Sequence, residues 1–90
     1  MDFEYDPSKS ARNREKHGID FEEAKGLWDD DNRLLIPARS DTEPRFALLA
    51  RLGQRIWVAF FTAREERIRI TSVRRARPNE KNEYESRRTG

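Results

Sequence analysis

The period of the apolar residues changes once along this chain, near residue 33, and that change limits what it can fold into. Before it, Phe21, Ala24, Leu27 and Trp28 recur at helical spacing. After it, "RLLIPA", "RFALLARL", "RIWVAFFTA" and "RIRITSV" are runs of strand length, rich in Leu, Ile, Val, Phe and Trp. They are divided by "RSDTEP", "GQ" and "REE", and the two short dividers demand hairpins, so the last three strands form an antiparallel meander. The stretch from Ile56 to Phe61 is apolar on both faces, as a central strand covered on each side must be. "RIRI" alternates instead: Ile68 and Ile70 point to a core, and Arg67, Arg69 and Thr71 point away from it.

The helical part carries its own punctuation. In "DPSK", Asp6 caps a helix by accepting a backbone N–H and Pro7 suits its first position, while Gly18 stops the helix after His17. Ahead of it, "FEY" alternates as a short strand does. "DFEEAKGLW" is a second helix, with Asp20 and Glu23 forming a capping box, and "DDDN" at 29 to 32 ends it in a turn. After Pro78, "PNEKNEYESRR" has helix-forming composition, yet Tyr84 is its only large apolar residue. Held by a single ring, that helix is expected to be mobile or to need a partner. The predicted architecture is α+β: two N-terminal helices, a four-stranded antiparallel sheet and a C-terminal helix. Phe21, Leu27, Trp28, Phe46, Leu48, Ile56, Val58, Phe60, Ile68 and Ile70 are core candidates, and ninety residues suit one domain over 1–90.

Charge is distributed unevenly. Residues 1 to 31 hold five Lys or Arg against ten Asp or Glu, whereas residues 32 to 79 hold eleven against four, a local surplus of seven within a net charge of +2. Fifteen of the nineteen basic residues are Arg, and five of those fall within "ERIRITSVRRARP" at 66 to 78. Guanidinium presents a planar, permanently charged fork that grips phosphate oxygens in pairs, so a surface of this kind favours polyanions. The structural alternative is solvation, or cross-strand pairing with Glu65, Glu66 or Glu43. The absence of cysteine excludes a disulfide framework and thiolate metal sites. No run of eighteen apolar residues and no leader pattern occurs, which implies a soluble, cytoplasmic chain with no membrane partner.

Arginines at alternate strand positions stand about 6 to 7 Å apart, close to the spacing of successive phosphates along a single nucleic-acid strand. Chemistry on RNA needs no metal: a base takes the proton of the ribose 2′-OH, an acid protonates the leaving 5′ oxygen, and cations hold the developing charge. Arginine supplies the last role. For acid or base work the chain offers His17, its only histidine, together with Tyr84, Glu80 and Glu43. His17 also has a purely structural explanation, since an imidazolium in a last helical turn is favoured by the dipole. The consecutive Asp29, Asp30 and Asp31 are poorly placed to converge on one ion, and a lone histidine excludes a His-rich zinc site, so no metal or cofactor is expected. No serine sits in a nucleophile elbow, and the isolated glycines form no phosphate-cradling loop.

The order of these pieces is recognisable. "FEYDPSKSARNREKHGIDFEEA" at 3 to 24, followed by "ERIRITSVRRARPNEKNEYE" at 66 to 85, resembles the BrnT family of toxins from bacterial type II toxin-antitoxin systems. The resemblance implies a fold like the RelE group of ribonucleases, cleavage of RNA that arrests growth, and neutralisation by a small BrnA-like antitoxin. It also implies a toxin dimer within a complex that binds operator DNA through the antitoxin. The catalytic candidates it supports are His17, Arg64, Arg69, Arg74 and Tyr84, with Lys16, Arg75, Ser72 and Glu80 on RNA, to which the polar face of the strand adds Arg67. Asp6 and Asn13 also match, and a helix cap and a local hydrogen bond explain them. Tyr5 in place of a Trp and Val73 in place of an Ala are the departures. The rival readings are a non-catalytic nucleic-acid-binding module and an antitoxin-docking protein with exposed aromatics such as Trp57 and Phe61.

Overall fold

Asp6 accepts a hydrogen bond from the backbone N–H of Ser8 at 2.8 Å, and Pro7 opens α1 (Pro7–His17), which Gly18 closes with a φ of 81°. The computed structural model describes residues 2–39, 41 and 43–89, the last three by their backbone alone. The capping box forms as expected. Asp20 accepts from the N–H of Glu23 at 2.8 Å, and the Glu23 carboxylate accepts from that of Asp20 at 3.2 Å. Only four residues, Phe21–Ala24 (α2), are α-helical, and the rest of the expected second helix, Lys25–Asp29, is wound as a 3₁₀ turn. Crowding accompanies the tighter winding, since a Cβ on Gly26 would meet Leu52 Cδ1 at 3.0 Å.

The described strands form one sheet of five, ordered β1-β5-β4-β3-β2. The expected meander is present as β2 (Leu34–Ala38), β3 (Arg45–Leu52), β4 (Arg55–Arg64) and β5 (Arg67–Arg75), each antiparallel to the next. The four-stranded, wholly antiparallel expectation needs correction at one edge. The "FEY" region supplies β1 (Asp2–Glu4), which runs parallel to β5 with Asp2 opposite Arg67, Phe3 opposite Ile68 and Glu4 opposite Arg69. It joins there because Phe3 extends the apolar face beside Ile68 and meets Trp28 edge-on, with ring centroids 5.0 Å apart. The connection from β2 to β3 includes positions 40 and 42, which lie outside the described residues.

Helices cover both faces of this sheet. On one side, Phe21, Ala24 and Leu27 pack with Leu48, Trp57, Ala59, Phe61, Ile68, Ile70 and Val73. On the other, Tyr84 of α3 (Pro78–Thr89) packs with Ala47, Leu49, Ile56 and Val58. Trp57 and Phe61 are therefore core residues and not the exposed aromatics a docking surface would present; each is buried against the α2 side. Phe60 points the other way and is half-buried.

One irregularity in β5 organises everything that follows. Phe61 pairs with Ile70 and Phe60 with Ser72, so Thr71 is an extra residue, a β-bulge whose hydroxyl donates to the Phe60 carbonyl at 3.1 Å. Strict alternation from Ile68 and Ile70 would have sent Ser72 and Arg74 into the core and left Val73 outside. With the bulge, the apolar series runs Ile68, Ile70, Val73, and all three are buried.

Candidate nucleic-acid interface

The bulge gathers polar side chains onto the face that bears α3. Thr62, Phe60 and Val58 alternate along β4, and their partners across the ladder are Arg69, Ser72 and Arg74. Cross-strand partners share a face, so these three residues of β5 stand on one side although their spacing is three and then two. Arg64 and Arg67 face each other at the hairpin end of the same surface, and Arg45 lies opposite Thr62 on β3. The hairpin turns on Glu65 and Glu66, whose φ values of 50° and 66° are the left-handed pair that a two-residue turn requires.

At this end the sheet hollows into a basin of about 270 Å³ lined by Glu4, Glu43, Thr62, Arg64 and Arg69. Two ion pairs bridge it: Arg64 to Glu43 at 2.9 Å and Arg69 to Glu4 at 3.6 Å. The pairing envisaged with Glu43 thus occurs, from the connection ahead of β3 and not from a strand, while Arg69 takes an acid from β1 that the sequence did not suggest. Both guanidiniums keep most of their surface in water, with Arg64 73% and Arg69 53% exposed. Exposed pairs of this kind contribute about 0 to 1 kcal/mol, so an incoming phosphate can displace the carboxylates.

Arg74 is held differently. Its guanidinium makes a fork with Glu80, at 2.8 and 2.9 Å, and lies over the Phe60 ring 5.3 Å from its centroid. Glu80 also accepts from the backbone N–H of Arg77 at 2.7 Å, so one carboxylate ties the start of α3 to the sheet. The Arg74 bonds hold the Glu80 pKa below the ordinary carboxylate range against the opposing effect of burial, and Glu80 in turn raises that of Arg74. Ser72 is exposed beside this pair.

Tyr84 does not reach the interface. It is 0% exposed, and its hydroxyl donates to Asp30 at 2.6 Å. Burial, then the bond to Asp30, raises its pKa, which makes it a worse proton donor than a free phenol. Burial works to raise Asp30 as well, but hydrogen bonds from Tyr84 and from the N–H groups of Arg51 and Asn32 prevail and keep it low. The expected loosely held helix is therefore docked: Tyr84 fills the second core, and Arg51 pairs with Glu85 at 3.1 Å.

His17, Lys16 and Arg75 belong to the opposite side. Arg75 pairs across the ladder with Trp57 and follows Val73 by two, both of which pack against α2. His17 ends α1, in a last turn that also holds Arg14 and Lys16, and Gly18 donates back to the Arg14 carbonyl at 2.9 Å. Among the described residues it shares no hydrogen bond, ion pair or pocket lining with Arg64, Arg69 or Arg74. Its surroundings match the structural explanation, a basic residue at the negative end of a helix. Asn13 does more than a local bond. Its amide donates to the carbonyls of Ile19 at 2.8 Å and Val73 at 2.9 Å and accepts from the Val73 N–H at 3.1 Å, standing in for a neighbouring strand beyond the end of β1.

The candidates that share the α3-bearing side are thus Arg64, Arg67, Arg69, Ser72, Arg74 and Glu80, with Glu43 at its basin. Sequence reasoning missed Glu4, Arg45 and Thr62, which reach the same surface only through the sheet register. The missed signal was the spacing Ile68, Ile70, Val73, which alone marks the bulge. Among the described residues no three His, Asp or Glu side chains converge as metal ligands; of the three consecutive aspartates, Asp30 turns inward to Tyr84. No described helix is long and apolar enough to cross a membrane. Two half-exposed arginines beside two carboxylates can bind a phosphodiester, hold charge that develops on it and accept a proton next to it.

A family model described as "Ribonuclease toxin, BrnT, of type II toxin-antitoxin system" matches residues 5–80. No curated protein matches the chain.

Proposed function

Because the chain belongs to the BrnT family of ribonuclease toxins of type II toxin-antitoxin systems, we propose that its RNA is held and cut on the arginine surface of β4 and β5. Family membership supplies the RNA target and an antitoxin partner. The observation that carries the placement is the bulge at Thr71, which sets Arg69, Ser72 and Arg74 on the same side as Arg64 and Thr62.

In this reading Arg64 and Arg69 hold the scissile phosphate, exchanging Glu43 and Glu4 for phosphate oxygens. As the ribose 2′-OH attacks, their forks neutralise the charge that grows on the phosphoryl oxygens, and no metal ion is required. Arg74, with its fork filled by Glu80, orders the α3 end of the surface, and Ser72, Arg67 and Arg45 extend it along the backbone of the substrate. Lys16 and Arg75 contribute charge on the far side, where they can steer RNA without touching the reacting phosphate. Likeness to the RelE group of ribonucleases belongs to the proposal, as does the treatment of residues 1–90 as one toxin domain. So do a BrnA-like antitoxin and a dimeric toxin in the operator-bound complex. Carboxylates already occupy three of the arginines, which favours an antitoxin that blocks RNA by laying acidic side chains on this same surface.

The test is the cleavage of RNA by Arg69→Ala and Arg64→Ala proteins whose circular dichroism matches the parent. Loss of one charge-stabilising fork predicts a rate about 10²- to 10³-fold lower for each. Parental rates in both would move the reaction away from this surface.

A further inference from the structure

We propose that Glu4 is the general base that takes the proton from the attacking ribose 2′-OH. The assignment rests on the reading of the arginine surface as the site of cleavage. Glu4 is a carboxylate of the basin that also contains Arg64, Arg69 and Thr62, and it is carried on a hydrogen-bonded strand in register with Arg69. A base for this reaction must sit beside the phosphate and within reach of the hydroxyl one bond away from it. Glu4 meets that demand through Arg69, since a phosphate on the Arg69 fork takes the place the carboxylate holds at 3.6 Å and leaves that carboxylate next to the substrate.

Glu43, the other acid in the basin, is less suited. It pairs more closely with Arg64, at 2.9 Å, and it comes from the connection between β2 and β3, whereas Glu4 is fixed by the parallel ladder to β5. Groups on strands hold reacting geometry more closely than groups on loops. Both carboxylates remain accessible, Glu4 being 39% exposed.

The step balances as an internal transesterification. Glu4 accepts the 2′-OH proton, O2′ forms a bond to phosphorus, and the bond from phosphorus to O5′ breaks. The departing O5′ takes a proton from water at the open mouth of the basin. The products are a 2′,3′-cyclic phosphate and a 5′-hydroxyl, and the proton on Glu4 returns to solvent.

Single-turnover cleavage of an RNA oligonucleotide by the parent, Glu4→Gln, Glu43→Gln and Arg69→Ala, with binding of the same sequence carrying 2′-O-methyl groups, tests the assignment. Glu4→Gln should cut about 10²- to 10⁴-fold more slowly. Its affinity for the methylated RNA should stay equal or rise, because a competing negative charge beside Arg69 is gone. Should Glu4→Gln fail to fold, Glu4→Asp, which withdraws the carboxylate by one methylene, should show a fall in rate with binding kept. A Glu4→Gln rate near that of the parent while Arg69→Ala is inactive would overturn the role of Glu4 and leave the arginine surface standing. So would a collapse confined to Glu43→Gln. A parent that binds the methylated RNA but cuts no RNA would remove the cleavage site itself.

Discussion

Asp30 is the middle of three consecutive aspartates, yet its neighbours differ from those of Asp29 and Asp31. It accepts from Tyr84, from the N–H of Arg51 at 2.8 Å and from the N–H of Asn32 at 2.9 Å, joining α3, β3 and the turn before β2 in one carboxylate. As a sequence, "DDDN" reads as a solvated turn, because nothing local distinguishes the residue that turns inward; its partner lies 54 positions away. Tyr84→Phe keeps the ring in the second core and deletes only the bond to a charged acceptor, so it should destabilise the fold by about 2 kcal/mol in urea unfolding. The same groups set the acid limit. Asp30 and Glu80 have folded pKa values below their ordinary 3.8 and 4.5. Each therefore stabilises the fold fully above its ordinary value and loses that contribution as pH falls through the lower folded value. Tyr84 is raised above 10.0, so its contribution is present below that value and is lost as pH rises beyond it. The midpoint of urea unfolding should be level from about pH 5 to pH 9 and fall on either side, with a smaller alkaline fall in Tyr84→Phe, where only Tyr5, raised by its bond to Glu22, remains.

Among the elements, those with a local cause were legible. Asp6, Pro7 and Gly18 bound α1 as their chemistry dictates, and Asp20 with Glu23 starts α2. The hairpin dividers likewise produced β3, β4 and β5 in the expected order. What stayed hidden depends on pairing. The alternation of "FEY" announced a short strand, but its parallel place beside β5 follows only from the edge that β5 leaves to fill. The bulge is hidden for the same reason, since a shift of register changes which side each residue faces without changing composition. Deleting Thr71 removes the extra residue and puts Ile68, Ile70 and Val73 in strict alternation, so Val73 stays buried and Ser72 and Arg74 keep their side. That deletion should keep cooperative unfolding by circular dichroism, and Thr71→Val, which loses one partly buried hydroxyl bond, should cost only about 1 kcal/mol. Loss of cooperative unfolding in the deletion would mean that Thr71 is not the extra residue of β5.

At the scale of the whole molecule, two cores lie on either side of one sheet, and the strand arginines stand on the α3-bearing face beside the second of them. The sequence identified that basic strand and its polar side, and the fold sets two of the other candidates apart from it. His17 and Tyr84 looked reactive by residue type, yet one closes a helix on the far side and the other fills a core. Glu4 looked like an ordinary surface acid, and the fold brings it to the arginines beside Glu43. The central claim is that these guanidiniums promote internal attack by the ribose without a metal ion. Its most direct test is the chemistry of the RNA ends left by the purified, antitoxin-free protein in the presence of EDTA. The account predicts 2′,3′-cyclic phosphates and 5′-hydroxyls, formed at the same rate with and without the chelator; 5′-phosphates formed only when divalent cations are restored would contradict it.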